Sequence, residues 1–120
     1  DIEYKKRGLV ENKTQYTDGE EIEVYVVMRN IGKYDQYEVP QLYVHRVDSK
    51  VEWPYKELKA FRKVQMKAGD AASITLTVPV ESLKYWDEAK HDWVLEPGKI
   101  ELLVARNAGE IVGKLEVEIR

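Results

Sequence analysis

The chain has 120 residues, of which 43% are hydrophobic and 34% charged, and its net charge is -3. This length fits one folded domain, and the composition excludes an intrinsically disordered chain. Lys and Arg form no basic stripe, which argues against nucleic-acid binding. No apolar run approaches the roughly 20 residues of a membrane-spanning helix, and the absence of cysteine excludes disulfides.

Most of the chain alternates between apolar and polar residues with a period of two, which is typical of strands with one buried face. The pattern is clear at 22–28 and cleanest at 73–78, whereas residues 100–105 are apolar on both faces. Turn signals such as Asp18-Gly19 and Pro97-Gly98 separate these runs. We predict strands near 3–10, 20–30, 38–47, 57–67, 71–79, 93–95, 99–106 and 110–119.

Two segments depart from this pattern. In 57–67, Arg62 interrupts the apolar series and Phe61 has the opposite parity, which indicates a bulge or a strand covered on both sides. One helical turn is predicted at 81–87, with Ser82 as its cap and with Leu83 and Trp86 packed beneath the strands.

Short strands with regular turns predict an all-β fold, namely an immunoglobulin-like β-sandwich of about seven or eight strands. We expect it to occupy 1–120 as a single domain. The chain opens on Asp1 without an initiator Met or a recognisable signal peptide, so we expect an excised domain or a processed product.

Five short motifs occur in the same order as in one protein family. The clearest lies at 54–64, which matches Pro-x-Lys-Glu-Leu-Lys-Gly-Phe-x-Lys-Val apart from Ala60 at the Gly position. The others are Asn-Ile-Gly at 30–32, with Ile31 in place of the family's Thr, Gln-Leu-Tyr-Val at 41–44, the turn at 66–70, and one late motif in two parts, 83–87 and 93–98. On these motifs the chain resembles the C-terminal fibronectin type III-like domain of glycoside hydrolase family 3, the β-glucosidases and β-xylosidases.

The resemblance implies a fibronectin type III-like sandwich without chemistry of its own, because the family's nucleophile and acid/base residues belong to other domains. We expect no catalytic residue, no metal and no cofactor here. The expected role is an accessory domain of a glycoside hydrolase acting on β-glucosides or β-xylosides. Its partners would be the catalytic domains of the parent enzyme, contacted through 39–64 and 86–93. The family favours a periplasmic or secreted location. Ile100 follows the Pro97-Gly98 turn at a position where the family often has a Tyr whose hydroxyl makes a hydrogen bond at this corner of the fold. We therefore expect apolar burial alone to stabilise this corner.

Five aromatic residues are candidates for docking or sugar contact because aromatic side chains bring large apolar area to a surface, and Tyr and Trp add a polar tip. They are Trp53, Tyr55, Phe61, Trp86 and Trp93. They predict a surface buried against the parent enzyme or packed in the core, and Phe61 is expected to be a core or docking anchor. The alternative functions are a carbohydrate-binding module with a polysaccharide partner, and a generic adhesion or interaction domain.

The polar candidates have simple interpretations. Glu57 lies in the family motif, but a retaining glycosidase needs two carboxyl groups about 5 Å apart. We therefore expect Glu57 to pair with Lys56, Lys59 or a neighbouring strand. His91 lies among three acidic residues in a predicted loop, where we expect solvation rather than ion binding.

Overall fold

A computed structural model describes residues 1–120 as an all-β chain with a single 3₁₀ turn at Val80–Leu83. No helix has the length and apolar character needed to cross a lipid bilayer. The strands are, in chain order, β1 (Ile2–Leu9), β2 (Gln15–Tyr16), β3 (Glu21–Asn30), β4 (Gln36–Glu38), β5 (Gln41–Arg46), β6 (Glu57–Phe61), β7 (Val64–Met66), β8 (Ala71–Pro79), β9 (Tyr85–Asp87), β10 (Asp92–Val94), β11 (Gly98–Asn107) and β12 (Glu110–Ile119).

Two sheets form the sandwich, and the fold class predicted from the sequence is confirmed. One sheet has three strands in the order β1-β3-β8, and the other has five in the order β2-β12-β11-β5-β6. All of their pairings are antiparallel except the parallel pairing of β12 with β2. Two short ribbons, β4-β7 and β9-β10, extend the sandwich.

The core lies between the two sheets and follows the period-two pattern of the sequence. Alternate residues of β3, from Ile22 to Met28, are fully buried, and they belong to one cluster with Leu42, Leu102 and Val104 of the five-stranded sheet. Ile100 is also buried in this cluster, so apolar burial occupies that corner as expected. Burial of aliphatic area of this kind is the main stabilising contribution to the fold.

The strand β11 is covered on both faces, as its sequence predicted. Leu103 and Ala105 point away from the core, yet both are buried in a second small cluster with Tyr43. A sandwich sheet usually presents polar residues on its outer side. The outer side of the five-stranded sheet therefore carries an apolar centre.

Two strands predicted as continuous are each divided in the structure. The segment predicted at 38–47 breaks between β4 and β5 at Pro40, which lacks the N–H group that a ladder requires. The segment predicted at 57–67 breaks at Arg62 and Lys63, and β6 and β7 then join different sheets. The predicted irregularity is confirmed, because the β5-β6 register also shifts beside Tyr43.

The helical turn predicted at 81–87 is shorter than expected. Ser82 makes no cap hydrogen bond to a main-chain N–H, and its hydroxyl instead donates to the Pro79 carbonyl at 2.7 Å. Leu83 is buried as predicted. The prediction that Trp86 packs beneath the sandwich is wrong, because Trp86 lies in β9 and is 39% exposed.

Candidate functional site

The edge strand β6 presents large apolar side chains outward. In the β5-β6 register, Tyr43 faces Leu58 and Gln41 faces Phe61. Leu42 points into the core, so its neighbours in β5 and their partners in β6 lie on the outer side. Leu58 is 45% exposed and Phe61 is 65% exposed. The core alternative for Phe61 is therefore wrong, while its role as a docking anchor stays a prediction.

These side chains continue the buried apolar centre of the same sheet face. We call the residues Tyr43, Leu58, Phe61, Leu103 and Ala105 the outer patch. Lys56 reaches across one side of it, because its ammonium lies 5.2 Å from the centre of the Tyr43 ring and donates to the carbonyl of Ala108. The patch thus has a buried apolar centre and an exposed apolar border. Tyr43, Leu103 and Ala105 form the centre, and Leu58 and Phe61 form the border at the sheet edge.

The opposite face of the sandwich has a different composition. The outward positions of the paired strands β3 and β8 are mainly polar. They include Glu21, Glu23, Ser73, Thr75 and Thr77, with the half-buried Tyr25 and Val27 as apolar exceptions. This face has the polar outer side typical of an antiparallel sheet in contact with water. The apolar outer patch is therefore a particular property of the five-stranded sheet.

The segment that carries the exposed part of the patch is basic. Residues 56–63 contain four cations, Lys56, Lys59, Arg62 and Lys63, and none of them has a carboxylate within 4.0 Å. Lys59 donates to the carbonyl of Ser82 at 2.7 Å, and burial lowers the pKa of its ammonium. The sequence pattern alone did not single out these cations, and only the structure shows that they have no carboxylate partner.

Glu57, the single carboxylate of this segment, is already paired. Its Oε1 lies 2.5 Å from Nη1 of Arg46 in β5, which confirms the predicted partner on a neighbouring strand. Arg46 also stacks on Trp53, with its guanidinium carbon 3.4 Å from the ring centre. The indole N–H of Trp53 donates to the Ser49 hydroxyl at 3.0 Å. One face of Trp53 is therefore occupied within the chain itself.

Tyr55 is exposed beside the outer patch. Its ring stacks on His45 with 4.3 Å between ring centres and 28° between planes. Nδ1 of His45 lies 2.6 Å from the Tyr55 carbonyl, and a carbonyl only accepts, so Nδ1 carries the proton. His45 holds Tyr55 at the surface through this bond and the ring contact.

Trp86 and Trp93 form a cross-strand pair in the ribbon of β9 and β10. Their ring centres are 5.6 Å apart with 74° between planes, and His91 adds an edge contact to Trp86 at 5.1 Å. Such edge-to-face contacts stabilise a ribbon that has no third strand. The planes of the two indole rings are steeply inclined to each other, so the rings do not form one flat surface.

The exposed Trp93 borders the largest open groove of the molecule. The groove has a volume of about 550 Å³ and is lined by Glu81, Ser82, Lys84, Asp92 and Trp93. Trp93 is 58% exposed there. An aromatic face beside hydroxyl, ammonium and carboxylate groups is suited to a polyhydroxylated ligand, because the ring offers apolar contact and the polar groups offer hydrogen bonds.

The remaining polar candidates show no converging ligand set. No group of three or more His, Asp or Glu side chains could hold a metal ion, and the ring of His91 packs against Trp86. The five aromatic candidates do not all converge on one site. Trp53 and Tyr55 line one cavity of about 440 Å³, Trp93 lines the groove, and Phe61 belongs to the outer patch.

The sequence and fold of the chain match known proteins. Residues 38–108 match the fibronectin type III-like domain family. The β-glucosidase BoGH3A of Bacteroides ovatus is 36% identical over 117 residues, which are 98% of this chain and 15% of that protein. The thermostable β-glucosidase B of Acetivibrio thermocellus is 35% identical over 108 residues, which are 90% of this chain and 14% of that protein.

A solved structure shares the fold as well. The crystal structure of the β-glucosidase from Listeria innocua superposes with a TM-score of 0.83 at 28% identity, covering 98% of this chain and 16% of that one. The chain thus spans about 15% of the length of the curated relatives it matches. The resemblance predicted from the motifs is confirmed.

Proposed function

Because the chain belongs to the fibronectin type III-like domain family, we propose that it is a non-catalytic accessory domain of a family 3 glycoside hydrolase that acts on β-glucosides or β-xylosides. One observation carries the proposal: the matches extend over 90% or more of this chain but about 15% of each β-glucosidase. The nucleophile and the acid/base group of the reaction would then belong to the remainder of the parent polypeptide.

The fold suits a supporting role. The core between the sheets is continuous and almost entirely aliphatic, which favours a rigid body rather than a deformable site. Residues 1–120 would form a single domain whose surface at 39–64 and 86–93 packs against the catalytic domains. Trp53, Tyr55, Phe61, Trp86 and Trp93 all lie in or directly next to these two segments.

The proposal is tested by determining the complete coding sequence around this chain and expressing the full polypeptide. We expect a polypeptide several times longer than 120 residues that hydrolyses an aryl β-glucoside or β-xyloside. The proposal fails if the full polypeptide hydrolyses neither substrate, or if the coding sequence specifies nothing beyond these 120 residues.

The groove beside Trp93 favours a second candidate function, a carbohydrate-binding module. Stacking on Trp93 with hydrogen bonds to Glu81 and Asp92 would hold a sugar ring. The steep angle between the rings of Trp86 and Trp93 and the Arg46 side chain over Trp53 weigh against a broad flat platform. Titration with soluble glucan and xylan separates the two functions: saturable quenching of tryptophan fluorescence that is lost in Trp93→Ala supports the module, and no quenching supports the accessory domain.

A further inference from the structure

We propose that the outer patch and the basic segment 56–63 form one docking surface, occupied by another domain of the same longer polypeptide that presents an apolar recess bordered by carboxylates. This inference rests on the proposed function, because it requires polypeptide beyond these 120 residues. It assigns the contact to one sheet face and states the chemistry of the surface that covers it.

The first argument is the apolar character of the outer patch. Leu58 and Phe61 stand exposed on an edge strand, directly beside the buried side chains of Tyr43 and Leu103. The corresponding side of the three-stranded sheet is mainly polar. If both outer faces of the sandwich contacted water, both would be expected to carry mainly polar residues. The five-stranded sheet therefore has the character of an interface.

The second argument is charge. The whole chain has a net charge of -3, yet residues 56–63 hold four cations and one carboxylate. That carboxylate, Glu57, is engaged by Arg46, so the positive charge of the segment is not neutralised internally. Arg62 is exposed at the end of β6, next to Phe61. A complementary surface would carry Asp and Glu residues around the recess that receives Phe61.

The third argument concerns the form of the contact. β6 is the edge of its sheet, and Lys residues on an edge strand discourage the pairing of another strand. Docking through side chains is then favoured over the addition of a strand. An exposed aromatic ring next to charged side chains, as Phe61 is, suits an interface anchor, because the ring is desolvated on docking while the charged border fixes the orientation.

The experiment uses the longest natural polypeptide that contains this chain and measures side-chain modification by hydroxyl radicals with mass spectrometry. Leu58 and Val10 are matched aliphatic residues, since Leu58 is 45% and Val10 is 49% exposed in the chain by itself. After correction for intrinsic reactivity, we expect Leu58 to be modified several times more slowly than Val10, with Phe61 protected as well. Equal corrected rates at Leu58 and Val10 would overturn the inference.

Variants of the same longer polypeptide test the two parts of the surface. Phe61→Ala should raise the modification of Leu58 several-fold, while the control Val10→Ala should leave it unchanged. Arg62→Glu should raise it more than Arg62→Gln, because reversal adds repulsion from the carboxylate border to the loss of attraction. An unchanged Leu58 in Phe61→Ala, or equal effects of the two Arg62 variants, would contradict the anchor or the acidic border, respectively.

The outcome is separable from that of the proposed function. If the longer polypeptide hydrolyses glycosides but Leu58 and Phe61 react as exposed residues, the accessory domain stands and this docking surface is wrong. If the longer polypeptide has no glycosidase activity, the proposed function fails whatever the modification pattern shows.

Discussion

The side-chain amide of Asn30 donates a hydrogen bond to the main-chain carbonyl of Met66, with 3.0 Å between nitrogen and oxygen. The second proton of the same Nδ2 goes to the carbonyl of Tyr34 at 2.8 Å, and Oδ1 accepts from the N–H of Gly32 at 3.0 Å. Asn30 is fully buried and is the only polar residue in the buried set. One side chain thus ties the end of β3 to the β4-β7 ribbon.

Asn30→Asp should destabilise the chain because the new carboxylate has no N–H to donate and places a negative charge beside two carbonyl oxygens. Leaving these acceptors unpaired costs about 1–3 kcal/mol of unfolding free energy, with repulsion in addition. Urea unfolding of the 120-residue chain measures the change, and the exposed Asn12→Asp is the control. Equal midpoints for the two variants would show that the Asn30 bonds contribute nothing.

The sequence predicted the sheets well because strand periodicity reports directly on burial. The core positions of β3, β8 and β11 all follow from alternation. It did not predict the role of Asn30, since partners 36 residues apart leave no local pattern. The break at Pro40 was missed, and the irregular pattern around Arg62 indicated a bulge but not that β6 and β7 join different sheets.

Phe61→Ala should leave the stability of the 120-residue chain nearly unchanged, because a ring that is mostly in water loses little burial. Leu102→Ala, at a fully buried site in β11, should cost about 2–5 kcal/mol. Thermal unfolding of the two variants makes the comparison. A loss of stability in Phe61→Ala as large as that in Leu102→Ala would contradict the exposed position of the ring and remove Phe61 from the docking surface.

The sheet face on which the Phe61 side chain lies could not be predicted from the sequence. Its opposite parity to Leu58 suggested two different faces, whereas the register shift beside Tyr43 places both side chains on the outer side. A bulge of one residue reverses the facing of everything beyond it. The motif therefore identified the right segment, and only the structure assigned its side chains to a face.

The Trp86–Trp93 pair should contribute a coupling free energy of about 0.5–1.5 kcal/mol to the β9-β10 ribbon. A double-mutant cycle with Trp86→Ala, Trp93→Ala and the double variant isolates it from the individual losses of burial. Exciton-coupled circular dichroism of the two indoles reports the same contact. Direct packing of the two rings would be excluded if the losses of unfolding free energy in the single variants simply add in the double variant and the exciton signal is absent from the natural chain.

Tyr4 should make stability depend on pH in the alkaline range. Its partial burial, and the hydrogen bond that its hydroxyl donates to Glu38 Oε2 at 2.7 Å, raise its pKa above the ordinary value of about 10. The folded chain then keeps this proton where the unfolded chain loses it, so the contribution is complete below about pH 10 and falls as the pH rises.

Comparison with Tyr4→Phe isolates this effect from other alkaline titrations. Denaturant unfolding at a series of pH values should show the advantage of the natural chain over Tyr4→Phe shrinking above about pH 10. An advantage that is constant or grows with pH would refute the assignment of the proton to the Tyr4–Glu38 bond.

The most direct test of the account is the hydrolysis of an aryl β-glucoside by the rigorously purified 120-residue chain. The account predicts no turnover above the spontaneous rate at any pH, because it assigns the reacting groups to another part of a longer polypeptide. Turnover that is abolished by replacing one acidic side chain, such as Glu57→Gln, would contradict it.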